Sequence, residues 1–320
     1  MEAEIRNASN TDASSRRLQP TLGGLESTVD EAASTVRRQS NQKGFFNCRP
    51  VLHNPRMTSS DSLRAAQSGP VYEQPLNERM RTFLRLDFLY HQALFHEERE
   101  DPWSTRAAMS SLLEILAITA RGDIRSEVLK DLERQMTVMH DYASRAGVDN
   151  SRLKAVLNNL TRLRTELNSV GALFMQRLRD SEFLNSIKHR STIPGGTCEF
   201  DLPDYRHWLD QPFAVRSKQF GDWMATIRPL CDAVTELLWL TREAARPRPE
   251  VAAGGVFQIA FDRENPCQLL RLALPAGTQL FPEISGSHHR CSIRFLSWND
   301  VNSRPVQATE DVQFQLTVCT

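Results

Sequence analysis

The chain lacks any long apolar run. A helix that crosses a bilayer needs about 20 consecutive, mostly apolar residues, and no stretch of the sequence approaches that length. The N-terminus, MEAEIRNASNTDASSRR, also lacks the apolar segment of a signal peptide. We therefore expect a soluble, cytoplasmic protein without membrane insertion.

An excess of charge of either sign is missing too. Lys and Arg together number 39 among the 320 residues, and Asp and Glu together also number 39, so the formal net charge is zero. Non-specific binding of nucleic acid depends on a positive surface. We expect no nucleic-acid partner, and any basic surface must be local.

Cysteine patterns typical of a disulfide framework or a zinc site are absent. The six cysteines are scattered, and none belongs to a CxxC pair. The only close cluster, SGSHHRCS, contains His288, His289 and Cys291. Adjacent residues on a strand point to opposite faces, so His288 and His289 could not easily share a metal. His289 and Cys291 could share one, but the sequence shows no second pair of ligands to complete a site. The sequence therefore predicts no metal and no cofactor.

Motifs of catalysis are also missing: there is no P-loop, GxGxxG, GxSxG, HExxH or kinase signature. The Pro194-Gly195-Gly196 tripeptide in STIPGGTCEFDL is not a phosphate loop. Such a loop leads from a strand into a helix, whereas this tripeptide follows a predicted helix (181–190) and precedes a predicted strand. We interpret it as a corner and expect no catalytic residues. An α+β enzyme or ligand-binding protein with an unrecognised site remains the alternative.

The composition divides the chain into three parts. In residues 1–70, Ile, Leu, Val and Phe supply only 11 positions and Ser and Thr supply 15, which predicts a disordered N-terminal extension. Residues 71–190 are predicted to form a helical domain, because apolar residues recur every three or four positions. Its first stripe is Met80, Leu84, Phe88, His91 and Phe95, with Phe83, Leu86 and Leu89 widening it.

Later stripes extend the helical pattern. A second helix is predicted over 105–120, with Gly122 ending it and Asp123 capping a third that carries Ile124, Val128, Leu132, Met136 and Met139. A fourth helix, from Asp149, shows a heptad-like seam of Leu153, Val156, Leu160, Leu163, Leu167, Val170 and Phe174. This seam fits either an antiparallel partner helix in the same chain or a homodimer contact.

Residues 191–320 are predicted to form a β domain with one intervening helix, at about 215–245, on which Trp223, Ile227, Cys231, Val234 and Leu238 share a stripe. Beyond RPRPEVAAGG the apolar period changes to two, and turn signals separate five candidate strands. These are VFQIAF, QLLRLAL, TQLFPEI, RCSIRFL and VQFQLTV. The expected fold is α+β: a helical bundle domain followed by an antiparallel β-sheet domain.

Arginine stands out on the predicted strands. In HRCSIRFL, Arg290 and Arg294 share a face with Ser292, and in QLLRLAL, Arg271 lies opposite to its leucine neighbours. About 13 Å separates the Cα atoms of Arg290 and Arg294 if the strand is regular. Both arginines would then suit an extended acidic peptide, or they are ordinary solvent-facing residues.

Four segments together resemble the ZapD family of Z-ring-associated cell division proteins. They are EQPLNERMRTFLRLDFL, ARGDIRSEVLKDLERQ, STIPGGTCEFDLPDYRHWL and PEISGSHHRCSIRF, and the resemblance extends over about residues 72–319. It implies a non-catalytic homodimer at the midcell division ring. It also implies binding to the C-terminal tail of FtsZ, the tubulin-like GTPase of that ring, so that a dimer with two tail sites bundles FtsZ filaments.

The resemblance also implies which side chains bind the tail. Basic positions of the family match Arg121 in ARGDIR, Arg290 and Arg294 in HRCSIRF, and Arg85 in TFLRLDF. Two positions depart from the family: Arg206 stands in DYRHWL where relatives have a histidine, and Glu182 occupies a place that can be basic. The expected partner-binding residues are Arg121, Arg290, Arg294, Arg85, Arg271 and Arg206.

Overall fold

The computed structural model describes residues 69–143, 149–171, 173–287 and 289–320. The segment predicted to be disordered, residues 1–70, lies outside the described residues except for its last two. The predicted α+β class is confirmed, since a helical region is followed by antiparallel sheets. In chain order the elements are β1 (Val71–Pro75), α1 (Glu78–Glu97), α2 (Pro102–Thr119), α3 (Ile124–Ala143), α4 (Asn150–Ser169), α5 (Gln176–Arg179), α6 (Glu182–Ser191), α7 (Pro203–Leu209), α8 (Phe213–Glu243), β2 (Arg248–Ala252), β3 (Val256–Ala260), β4 (Leu269–Ala273), β5 (Leu280–Gly286), β6 (Arg290–Ser297), β7 (Val306–Gln307) and β8 (Val312–Cys319).

Short polar residues begin several of the helices. Side-chain oxygens of Asn77, Asp101, Asp149 and Ser181 accept backbone N–H groups in the first turns of α1, α2, α4 and α6. Asp123 does the same for α3, with its Oδ1 3.2 Å from the Ser126 amide nitrogen, as predicted. These caps satisfy N–H groups that have no partner within the helix, and they fix where each helix starts.

The stripe predicted for α1 is confirmed at Met80, Phe83, Leu86 and Leu89 and is wrong at Phe88 and Phe95. The buried side chains are Met80, Phe83, Leu86, Leu89, Tyr90 and Ala93, whereas Phe88 is 67% exposed and Phe95 is 58% exposed. At about 100° per residue, Phe95 lies opposite to Leu86 on the helix. The sequence of α1 is apolar on two sides, and the core of this chain covers only one of them.

The heptad seam of α4 packs inside the chain. Leu160, Leu163 and Leu167 are at most 1% exposed and belong to one core with α3 and α8. Of the two interpretations of the seam, the antiparallel partner within the chain is therefore confirmed. These leucines are not available for a contact between two copies of the protein.

Gly195 and Gly196 form the predicted corner. Gly195 has a φ of 71°, which favours glycine. A Cβ on Gly196 would lie 2.3 Å from the Arg190 carbonyl oxygen. The strand predicted after the corner is wrong, because successive turns through Cys198 and Asp201 lead into α7. Two helices, α7 and α8, thus precede the strands that follow residue 247.

Two antiparallel sheets form the β region. The first sheet has the order β1-β4-β8-β2, and the second has the order β3-β6-β5, with β7 also pairing with β6. All five candidate strands are confirmed. β1, β2 and β7 were not expected from the sequence, and β2 contains Pro249, which would break a central strand. It is tolerated because β2 lies at the edge of the first sheet.

The first sheet lies between the helices and the second sheet. Leu269 and Cys319 share the core of the helices, whereas Leu270 and Leu272 pack with Ile293 of the second sheet in a separate core. The chain passes from one sheet to the other through Gly254 and Gly255, both with positive φ. A Cβ on Gly255 would lie 2.4 Å from the Ala308 carbonyl oxygen, so a side chain there would displace the backbone that follows β7.

A half-buried ionic cluster joins the helices to the first sheet. The carboxylate of Glu73 in β1 accepts two hydrogen bonds from Arg242 of α8, at 2.9 and 2.8 Å. The same carboxylate accepts a third, at 2.9 Å, from Arg271 of β4. Arg242 also lies 3.7 Å from Asp87 of α1. Such charge-assisted, forked contacts are stronger than neutral hydrogen bonds, and here they fix α8 on the sheet.

We expect Leu160→Ala to lower the free energy of unfolding by about 2–5 kcal/mol, because it leaves a cavity in a closely packed core. Denaturant titration measures this loss, and light scattering on the same sample should show an unchanged molar mass. Val301→Ala, at a position that is 77% exposed, is the matched control. A change of mass without a change of stability would contradict the intrachain packing of the seam.

We expect Glu73→Ala to lower the free energy of unfolding by about 2–4 kcal/mol, because it leaves two half-buried guanidinium groups without their carboxylate. Glu73→Gln, which keeps an acceptor oxygen, should cost less. The control is Glu166→Ala, which removes an exposed pair with Arg162 within α4 and should change stability by at most about 0.5 kcal/mol. Equal losses from Glu73→Ala and the control, by thermal or denaturant unfolding, would show that the cluster contributes little.

Candidate functional site

The candidate site is the outer face of the second sheet, centred on β6. Along this strand Arg290 and Arg294 are exposed, whereas Cys291, Ile293 and Phe295 are buried against the first sheet. The alternation predicted from HRCSIRFL is thus confirmed. Because the buried residues face the first sheet, the two arginines point away from it into solvent.

Small and polar residues flank the middle of β6 between the two arginines. Across the sheet, Ala260 of β3 pairs with Arg290, and Gln258 and Ser285 pair with Ser292 from either side. These side chains are small or polar, and they leave both guanidinium groups accessible. With about 13 Å between the Cα atoms, the face presents two cations along a line, spaced like residues i and i+4 of an extended peptide. We call this surface the arginine face.

The two arginines differ in their electrostatic surroundings. Arg294 forms an ion pair with Glu283, its direct neighbour across β5 and β6, and about half of each side chain is exposed. For Arg290, no carboxylate of the described residues forms an ion pair. The face is therefore positive on balance, and its positive charge is least compensated at Arg290.

Arg271 is not part of the arginine face. It lies on β4 in the first sheet, where its Nε donates to Glu73 at 2.9 Å. Its side chain lies on the side that the helices cover, like that of Leu269 two residues earlier. The expectation that β4 and β6 expose their arginines together is not met, because the chain builds two sheets rather than one.

Arg206 and Glu182, the two positions that depart from the family pattern, each have local contacts that stabilise them. Arg206 of α7 pairs with Glu199, and its Nε lies 2.7 Å from an Asp210 carboxylate oxygen. Contacts with these two carboxylates raise the pKa of Arg206 above its usual value, the Asp210 hydrogen bond being the largest cause. Glu182 lies in the first turn of α6, after the Ser181 cap, where a carboxylate stabilises the helix dipole.

Arg85 and Arg121 belong to the helical layer. Arg85 is exposed on α1, and Arg121 is exposed just after the end of α2. The first sheet lies between the helices and the second sheet, and no hydrogen bond or ion pair of the described residues joins Arg85 or Arg121 to Arg290 or Arg294. Arg85 and Arg121 are thus exposed residues of a different layer from Arg290 and Arg294.

A cluster of titratable residues that sequence patterns did not reveal lies between α1 and α8. The Tyr90 hydroxyl donates to Asp232 at 2.7 Å, and Arg228 provides a nearby positive charge. Burial raises the pKa of Asp232, although the Tyr90 hydrogen bond and Arg228 act in the opposite direction. Burial likewise raises the pKa of Tyr90 well above its usual value. Tyr90 is only 3% exposed and Asp232 is partly buried, so their hydrogen bond joins α1 to α8 inside the helical layer.

Neither a metal centre nor a membrane-spanning helix occurs in the described ranges. In the described ranges, no group of three or more His, Cys, Asp or Glu side chains is arranged to hold a metal ion. None of the described helices combines the length and the apolar character that crossing a membrane requires. The arginine face is thus the surface whose chemistry points most directly to a ligand.

Comparison with known proteins matches residues 84–294 to the model of the ZapD family, described as a cell division protein. The chain is 39% identical over 249 residues to the cell division protein ZapD of Methylococcus capsulatus, an alignment covering 78% of this chain and 97% of that protein. It is 35% identical over 248 residues to the ZapD of Chromobacterium violaceum, covering 78% and 98%. For the ZapD of an Azoarcus species, identity is 32% over 249 residues, again covering 78% and 98%.

We expect Asp232→Asn to stabilise the fold at pH 7.5. The folded-state pKa of Asp232 is raised, so the ionised carboxylate costs stability above that pKa, and the cost disappears as the pH falls through it. The amide removes the charge and still accepts the Tyr90 hydrogen bond. The gain in melting temperature should therefore shrink toward pH 4.

Asp222→Asn is the matched control, because it removes an exposed carboxylate from the same helix. It should leave the melting temperature nearly unchanged at both pH values. A lower melting temperature of Asp232→Asn at pH 7.5 would show that the charged form is favoured in the fold, contrary to the burial argument.

Proposed function

The chain belongs to the ZapD family of cell division proteins, and from this membership we propose that it binds the C-terminal tail of FtsZ through the arginine face. The single observation that supports the proposal is the exposure of Arg290 and Arg294 on one face of the second sheet. Guanidinium groups bind carboxylates through strong, often forked hydrogen bonds. An extended peptide with carboxylates on one side matches the spacing of this face.

The proposed action is binding without catalysis. We infer a homodimer with one tail site on each copy, so that a dimer crosslinks two FtsZ filaments and stabilises the Z-ring. The protein would then act in the cytoplasm, at the midcell division ring. Bivalent attachment also raises the apparent affinity for a filament, because the second contact forms at a high effective concentration.

The surface of α1 supports a dimer contact in the helical layer. Phe88 and Phe95 are seven residues apart, so they lie on the same side of α1, and both are mostly exposed. Trp103, at the start of α2, is 78% exposed. Large exposed apolar side chains at neighbouring positions are typical of interaction sites. We propose that a second copy of the chain covers this surface, in place of the α4 seam.

The remaining basic residues have lesser parts in the proposal. Arg121 and Arg85 are exposed and available to a longer segment of the tail. Arg206 is already bound by Glu199 and Asp210, and Arg271 by Glu73. A ligand would have to displace those carboxylates first, so we expect Arg206 and Arg271 to contribute less than Arg290.

We expect Arg290→Glu and Arg294→Glu each to weaken binding of a labelled FtsZ tail peptide about tenfold or more. Each substitution removes a charge-assisted contact and adds repulsion to a carboxylate ligand. Fluorescence anisotropy measures the affinity, and circular dichroism checks the fold. The matched control is Arg304→Glu, which makes the same charge change at an exposed arginine outside the strands. It should bind nearly as the wild type does.

The double variant should also fail to pellet FtsZ polymers at low centrifugal speed, whereas the wild type should pellet them and show twice the chain mass in light scattering. Unchanged tail binding by the folded double variant would contradict the proposed site. Tail binding without pelleting by a monomeric wild type would contradict only the crosslinking part.

A further inference from the structure

In the free protein, the carboxylate of Glu283 forms an ion pair with the guanidinium group of Arg294. We propose that Glu283 is an internal competitor for the acidic ligand, which must displace it from Arg294 in order to bind. This inference rests on the proposed function, because it concerns the same face. It assigns to Glu283 the role of setting the affinity and the selectivity of the site.

The position of Glu283 follows from the pairing of the strands. Glu283 of β5 lies directly opposite Arg294 of β6, so both side chains point to the same face and their charged groups meet. On the other side Arg294 is flanked by Val256 of β3, which has no polar side-chain atom. Among the described residues, Glu283 is the carboxylate that pairs with Arg294.

The two arginines of the face therefore differ in what a ligand gains from them. At Arg290 an incoming carboxylate forms a contact where the described residues offer no competitor. At Arg294 it replaces one carboxylate by another, so only the difference between the two contacts contributes to affinity. The Glu283 charge also repels an acidic ligand over the few ångströms that separate neighbouring strands.

Selectivity follows from this inequality. Glu283 is attached to the same sheet and competes at a high effective concentration, so a ligand with a single carboxylate gains little from Arg294. A ligand that is already bound to Arg290 holds its second carboxylate near Arg294, so this carboxylate also competes at a high effective concentration. The site should therefore favour extended peptides that carry two carboxylates about 13 Å apart over peptides that carry one.

The decisive variant is Glu283→Gln, which keeps the size of the side chain and removes its charge. Its affinity for the labelled FtsZ tail peptide should rise about three- to tenfold, as expected when a competing surface ion pair and its repulsion are removed. A gain of affinity does not arise from partial unfolding. Glu250→Gln is the matched control, since Glu250 pairs with Arg248 within β2 of the other sheet.

A double-mutant cycle tests whether Glu283 acts through Arg294. In an Arg294→Ala background, Glu283→Gln should give less than half of its gain in binding free energy, since no guanidinium remains for which the two carboxylates compete. In an Arg290→Ala background the gain should be kept. An equal gain in all backgrounds would mean that Glu283 acts only through its charge, and would overturn the exchange at Arg294.

Salt dependence gives an independent measurement. Tail binding to the wild type exchanges one ion pair for another at Arg294, whereas binding to Glu283→Gln adds a new pair. The affinity of the variant should therefore fall more steeply between 50 and about 300 mM salt. Parallel slopes for the two proteins would count against the exchange.

The outcomes separate this inference from the proposed function. Wild-type binding that Arg290→Glu abolishes and Glu283→Gln leaves unchanged overturns the inference and supports the proposed site. Absence of tail binding in both wild type and Glu283→Gln overturns both. Binding by Glu283→Gln alone supports the competitor role and shows that the wild-type site is masked.

Discussion

The architecture depends on how Glu73 joins three elements that are far apart in the chain. Its carboxylate accepts hydrogen bonds from Arg242 of α8 and Arg271 of β4, and its own strand, β1, pairs with β4. The helices thereby contact one face of the first sheet, and the second sheet covers the other. Both faces of the first sheet are therefore covered, and the outer face of the second sheet is the sheet face left open to a ligand in the described β region.

This layering gives the same residue type two different roles. Arg271 and Arg294 both lie on central strands and both contact a glutamate, but the glutamate of Arg271 is half-buried and shared with Arg242. The glutamate of Arg294 is half-exposed and pairs with that arginine alone among the described residues. Water and ligands compete well for the second contact and poorly for the first. Burial, rather than residue identity, therefore separates a structural arginine from one available for binding.

Much of the fold could be predicted from the sequence, because period and caps are local properties. The five alternating strands, the Asp123 cap, the start of the fourth helix near Asp149 and the buried leucines of α4 are found as expected. The α1 stripe was wrong at Phe88 and Phe95, because both sides of that helix are apolar and the sequence does not tell which side meets the core. The expected grouping of Arg271 with Arg294 was wrong for a similar reason. Alternation assigns a residue to a face of its strand, but the division of the strands into two sheets depends on long-range pairing. The role of Glu283 was missed because its contact with Arg294 depends on the register between β5 and β6.

The order of the layers determines whether a dimer would leave both proposed tail sites accessible. The proposed dimer contact lies on the outer side of α1, and the arginine face lies beyond the first sheet from the helices. A contact confined to the helical layer therefore leaves Arg290 and Arg294 of each copy uncovered. If the contact instead involved the second sheet, dimerisation and tail binding would compete for the same surface, and a dimer would lose the bivalence that crosslinking requires. The position of the exposed phenylalanines on α1, far from β6 in the order of layers, favours the first arrangement.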